Sequence, residues 1–334
     1  MPDSPQSLLD NIRLSNSTEG LKSYYYDLLQ KDKEKALETI NDINLQFGTL
    51  FSLRSELTKT AAAGKLNPIY HKALEIVEML VSGKTLQAQK VMRSSWNDSL
   101  YALRWMIKTG YAEKESGIDL EDYEVLMEKS AALLTKDFRD TSALPEIAEM
   151  IFERNRSGRL IHELVWAFFE ARSPDSLLLI AQRLVSDDTR DVELSQRLLC
   201  FIPGVKEGTG NSGLILYKRV LNWLEENKPF LYYTGESLHL CNLPMHYAIS
   251  LAARYLCCPV SVDGGHPLLA FNEAEKERSS HFQELQEPQQ QQLADFSHML
   301  YRKNVYQWNT WMQLPLDRQI SLVSCAAVGQ EGSL

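Results

Sequence analysis

His239, Cys241, His246, Cys257, Cys258 and His266 lie in one short stretch and make up half of the chain's histidine and cysteine. Imidazole and thiolate together suit zinc. His239, Cys241 and His246 are the candidate metal ligands, and zinc is the ion considered for them. Against this, the stretch has no Cys-x-x-Cys pair, and neighbouring Cys257 and Cys258 cannot readily turn both sulfurs to one ion. A thiol at the end of an apolar helix behaves as a small hydrophobe. The default expectation is structural cysteines and no cofactor.

A wider set of titratable groups surrounds the same stretch. Tyr232, Tyr233, Glu236, His239, His246, Asp263 and His266 lie beside glycine-containing loops, with Cys241 among them. Loops carried on a rigid scaffold are where ligands commonly bind. These residues form the candidate site for a small molecule, and with it the alternative reading of the chain as an enzyme or ligand-binding protein.

Three other patterns approach known chemistry and fall short. Gly208, Gly210 and Gly213 have the spacing of a dinucleotide-binding loop and precede a helical stretch, with Glu236 further on. That loop should leave a strand directly, and here a helical pattern and Pro203–Glu207 come first. It reads as a linker. His162-Glu163 begins a metalloprotease pattern, but Trp166 stands where the second histidine belongs. Gly235-Glu236-Ser237-Leu238-His239 has histidine where a nucleophile elbow needs glycine. No catalytic constellation remains.

The elements that must position these residues are mainly helical. Ala36, Ile40, Ile43, Phe47, Leu50 and Leu57 recur on three- and four-residue steps, with Arg54 in one place of the series. That spacing predicts a heptad seam facing a second helix, either in the same chain or in another copy. Asn67-Pro68 predicts a helix start, with Ile69, Ala73, Ile76, Val77 and Leu80 on one face and Gly83 as the stop. Asn97-Asp98 and Asp119 head two further helices.

In the middle of the chain two helix pairs recur at a spacing of 33 residues. Leu144, Ile147 and Ile151 match Leu177, Ile180 and Leu184, while Ile161, Val165 and Phe168 match Leu194, Leu198 and Phe201. Over residues 142–203 this resembles the helical repeat proteins of the HEAT and armadillo type. The resemblance implies antiparallel helix pairs stacked on one another. An irregular bundle is the other arrangement open to these helices.

Beyond Pro203-Gly204 the composition shifts. Phe230-Leu231-Tyr232-Tyr233 reads as a short strand, and Pro244 as the start of a helix running through Leu256. Two Gln-rich helices split at Pro288, and a last one follows Pro315. Phe296, Leu300, Trp308, Trp311 and Met312 read as one C-terminal helical stripe. Trp308 and Trp311 are the candidate interface residues, with burial in a core the commoner fate of such a stripe.

The expected organisation is all-α: a flexible N-terminus over 1–17, helical hairpin repeats over 18–204, a mostly helical C-terminal domain over 205–327, and a flexible tail over 328–334. The 334 residues carry 44% hydrophobic side chains, enough for a sizeable core, and a net charge of -9 that disfavours nucleic acid. No uninterrupted apolar run of about 18 residues suggests a membrane span. Five cysteines, an odd count, suit reduced thiols in the cytoplasm. The function expected from these features is a scaffold or adaptor binding a protein or peptide partner, with self-association through the 36–57 helix as a further possibility.

Overall fold

The computed structural model describes residues 6–59, 62–112, 120–206 and 212–331. The fold is all-α: it is 71% helical, and the only sheet among the described residues has two strands. The chain divides into two compact units, Met1–Ala171 and Arg172–Leu334. That division falls well before the compositional shift near residue 205.

The first unit contains α1 (Leu8–Lys31), α2 (Lys33–Ile40), α3 (Phe47–Ser52), α4 (Arg54–Lys59), α5 (Pro68–Val81), α6 (Thr85–Ser94), α7 (Trp96–Gly110), α8 (Leu120–Ala132), α9 (Leu144–Arg156) and α10 (His162–Glu170). Helix α1 starts where the sequence suggested a flexible N-terminus. Ser7 and Asp10 form a capping box, so two of the orphan N–H groups of the first turn are satisfied. The Asp10 carboxylate does more than cap. It also accepts from the Thr49 hydroxyl at 2.5 Å and from the Gln46 backbone N–H at 3.1 Å. Arg13 adds bonds from Nε to Thr49 Oγ1 at 2.8 Å and from Nη2 to Gln46 Oε1 at 3.2 Å. Ser7, Asp10, Arg13 and Thr49 are all buried.

This polar knot fixes α3 against α1, and α3 carries the aromatic core. Phe47 stacks on Tyr123 at 5.7 Å and meets Trp105 edge-on at 5.8 Å, while Trp105 meets Tyr70 at 4.7 Å. Gly110 makes the approach possible. A Cβ there would lie 2.6 Å from the Tyr123 hydroxyl, which donates to the Gly110 carbonyl.

The expected seam is not one helix. Asn41 ends α2, Asp42 Oδ1 accepts from the Asn44 N–H at 2.8 Å, and the Tyr70 hydroxyl donates to the Asp42 carbonyl at 2.6 Å. Asn and Asp side chains bond their own backbone in this way and break helices. Ala36, Ile40, Phe47, Leu50 and Leu57 are fully buried in three separate helices, while Ile43 is 85% exposed. No continuous stripe runs from 36 to 57.

The second unit holds α11 (Leu177–Ala181), α12 (Thr189–Leu198), α13 (Gly213–Asn227), strands β1 (Leu231–Tyr233) and β2 (Tyr247–Ile249), α14 (Leu251–Tyr255), α15 (Glu273–Gln283), α16 (Glu287–Lys303), α17 (Val305–Met312) and α18 (Leu316–Glu331). Its core gathers Tyr255, Phe282, Leu293, Trp311, Met312 and Val323. Tyr255 stacks on Phe282 at 4.5 Å and donates to Gln319 Oε1 at 2.7 Å. Gln319, buried, gives its amide to the carbonyls of Trp311 and Leu314 at 3.1 Å each.

Other expectations meet mixed outcomes. Leu144 and Leu177 both open helices, as the 33-residue spacing requires. Their companion helices are out of step: Ile161, Val165 and Phe168 belong to the start and middle of α10, whereas Leu198 ends α12 and Phe201 lies beyond it. The two helix pairs also fall in different compact units. The C-terminal stripe is broken at Asn304, whose side chain caps α17. Helix α18 runs through residue 331, into the expected tail. The glycine loop from Gly208 to Asn211 and the Asp119 helix cap lie outside the described residues.

Removing the Asp10 carboxylate leaves Ser7, Thr49 and the Gln46 N–H short of an acceptor in a buried site. Asp10→Ala is expected to lower unfolding free energy by about 3 kcal/mol in urea titration. Ile43→Ser, at a solvent-facing turn, is expected to change it by less than about 0.5 kcal/mol and to leave the sedimentation mass unaltered.

Candidate functional site

The soft-ligand stretch folds around the β-hairpin. Leu231 pairs with Ile249, Tyr232 with Ala248 and Tyr233 with Tyr247 in antiparallel register. Pro244 therefore precedes a strand, and the helix expected after it is confined to α14. The ladder continues one step: the Thr234 N–H donates to the His246 carbonyl at 3.1 Å.

The loop from Thr234 to His246 closes on itself through Glu236. One Glu236 carboxylate oxygen accepts from the Met245 N–H at 2.8 Å, and the Cys241 thiol lies 3.9 Å from the same oxygen. The Glu236 carbonyl meets His246 Nδ1 at 3.1 Å. Gly235 turns the chain with a φ of 83°, a conformation an L side chain resists. Glu236, Cys241 and His246 are thus brought together, with Glu236 serving as the clasp of the loop.

The next loop lies against the other edge of β1. The Tyr233 N–H donates to the Val262 carbonyl at 2.8 Å, and Tyr233 forms a parallel bridge with Asp263. Asp263 pairs with Arg172 at 2.5 Å, and the same guanidinium lies 5.0 Å from the Tyr233 ring centroid. Gly265 lets this loop lie on Tyr232, because a Cβ there would sit 3.0 Å from the ring. Arg172 was not among the residues the sequence singled out. It stands far from Tyr233 in the chain, and nothing in its local pattern marks it.

The members of the set occupy different environments. His239, Cys241 and His266 are exposed, whereas His246 is fully buried and meets the Phe201 ring edge-on at 6.4 Å. Burial pushes the His246 pKa down to about 3, against a smaller opposite effect from the Glu236 carbonyl. A ring that is neutral at ordinary pH is a proper ligand form. Even so, no group of three or more His, Cys, Asp or Glu among the described residues has an arrangement that could hold a metal ion. Burial also raises the Cys257 pKa to about 12, which makes that thiol a poor nucleophile. Trp311 is buried in the core of the second unit, and Trp308 donates its indole N–H to Ser297 Oγ at 2.8 Å.

A feature the sequence reading passed over lies in the first unit. Between α4 and α5 is a groove of about 640 Å³. Its apolar floor is Leu74, Val77 and Val81, and Arg54, Lys59 and Glu78 stand around it. Val81 is 51% exposed. The signal was present: Leu74 and Val81, seven positions apart on α5, lie beside the buried stripe of Ala73, Ile76, Val77 and Leu80. Arg54 is held in place by stacking on the Phe51 ring at 3.8 Å and by donating to the Phe51 carbonyl at 2.9 Å.

No helix among the described residues is long and apolar enough to cross a membrane. In comparison with known proteins, the chain matches no family model, no curated protein sequence and no solved structure.

The buried histidine gives a pH signature. In the unfolded chain His246 titrates near the ordinary imidazole value of 6.5, and in the fold only at about 3. The unfolded state therefore binds the extra proton between those values. Stability is expected to be complete above pH 6.5 and to fall by about 1.4 kcal/mol per pH unit below it, until the folded ring also protonates. Urea titrations from pH 7 downward should show this slope in the native protein and its loss in His246→Gln.

Proposed function

We propose that the protein acts by binding a partner protein, and that the α4–α5 groove receives an amphipathic helix of that partner. The observation carrying this reading is the groove itself. Its floor runs from Leu74 to Val81 along α5, two helical turns or about 10 Å. A helix laid in such a groove anchors itself with apolar residues spaced by three, four and seven positions. Apolar floor and charged margins are the usual anatomy of an interface.

The margins also choose the partner's charges. Lys59 and Arg54 project from α4, while Glu78 projects from α5. Glu75 is already paired with Lys72 at 2.6 Å. A partner helix with acidic residues toward α4 and a basic residue toward Glu78 would meet opposite charges on both sides. Such charges contribute more to specificity and association rate than to affinity.

A photo-crosslinking residue at position 81 tests the reading directly. The expected result is a single polypeptide crosslinked in cell extract from position 81 and not from position 43. Val81→Glu places a charge on the apolar floor and should weaken capture of that polypeptide about tenfold or more, with unchanged circular dichroism. Equal capture by the native protein and Val81→Glu would overturn the proposal.

A further inference from the structure

A second concave site lies in the other unit and is built from charge. Arg254, in the last turn of α14, has a side chain only 7% exposed. Its Nη2 lies 3.0 Å from Asp295 Oδ1, while its Nε has no acceptor among the described residues. Asp295 is itself 49% exposed, so much of its charge is spent on water. A buried guanidinium held by one half-solvated carboxylate is under-compensated.

Beside Arg254 opens a cavity of about 540 Å³, lined also by Glu226, Asp295, His298, Arg302 and Lys303. Helix α16 supplies most of these groups: His298 and Arg302 are one helical turn apart, and Lys303 follows. Arg302 pairs with Glu225 at 3.3 Å, but both side chains are at least half exposed and such pairs are weak. Lys303 has no ion pair among the described residues. The lining thus holds three permanent cations against two carboxylates, one of them engaged by Arg254.

The His298 ring reports the balance of these charges. It stands edge-on to Phe230 at 5.2 Å and is 9% exposed. Burial disfavours its proton first, and Arg254 and Arg302 disfavour it further; Glu226 and Asp295 act in the opposite sense without reversing the outcome.

We propose that this cavity binds a small phosphomonoester. Arg254, Arg302 and Lys303 would hold the phosphate, and the organic remainder would fill the rest of the cavity. Three cations lining one cavity match a dianion better than a single carboxylate. The volume exceeds that of phosphate alone and falls in the range of small-ligand pockets. Glu226 opposes the ligand and limits its affinity. This assignment is independent of the α4–α5 groove.

Isothermal calorimetry on the full chain, with glycerol phosphate and inorganic phosphate as probes, tests the proposal at low ionic strength. Glycerol phosphate is expected to bind more tightly than inorganic phosphate. Lys303→Gln should weaken it about fivefold, and Glu226→Gln should tighten it by a similar factor. Both substitutions are at charged surface positions that the fold does not require. The His298 ring signal, assigned by its loss in His298→Gln, should shift and titrate at higher pH when the ligand is bound. Absence of heat and of a His298 shift at millimolar glycerol phosphate would overturn the site. Equal affinity for inorganic phosphate would overturn the monoester, and changes of the same sign in the two charge variants would overturn the electrostatic account.

Discussion

The Asp10 carboxylate is the constraint on which the first unit depends. Burying a carboxylate is unfavourable unless donors replace its water. Here Ser7, Thr49 and the Gln46 N–H supply them, and Arg13 bridges Thr49 and Gln46 beside it. The bonds are directional, so they do what apolar contact cannot: they fix one placement of α3 on α1. That placement aims Phe47 at Tyr123 and Trp105, and Gly110 leaves room for the stack. A helix of six residues such as α3 has little independent stability, and its start is held by the Gln46 N–H bond to Asp10 and the Phe47 N–H bond to Thr109.

The second unit is organised by the same logic from different residues. Gln319 receives the Tyr255 hydroxyl and gives its amide to the carbonyls that end α17. Ser297 donates to the Tyr255 carbonyl at 2.5 Å and accepts from Trp308. Short helix α14 is thereby tied to α16, α17 and α18. In both units the apolar residues supply most of the driving force, and a few satisfied buried polar groups select the arrangement.

Much of the local structure was legible in the sequence, because it follows from neighbours in the chain. Asn67-Pro68 starts α5, Pro288 opens α16, and the aromatic run at 230–233 becomes β1. At the seam, the apolar periodicity runs through residues whose side chains compete for the backbone. Asn41 to Asn44 keeps the three- and four-residue spacing of the seam, yet the Asp42 turn and the Tyr70 bond to it end the helix. Ser7 and Asp10 looked like a polar, loose terminus because their partners lie some 36 residues onward. At Pro244 a helix start was read where β1 supplies a strand partner, and pairing with a distant segment overrode local preference.

The candidate site shows the same limit in its chemistry. Clustering along the chain did bring Glu236, Cys241 and His246 together, but it could not say which of them faces water. His246 is buried against Phe201, and His239 is exposed in the loop that closes on Glu236. The two cavities followed a different rule. Leu74 and Val81 stand out as a second stripe on α5 once the first stripe is assigned to packing. His298, Arg302 and Lys303 share the end of α16, but the cavity beneath them exists only because α14 places Arg254 there, more than 40 residues earlier in the chain. Residues that one helix aligns can be found from spacing. Residues that two elements bring together need the fold, and a recognition site is almost always of the second kind.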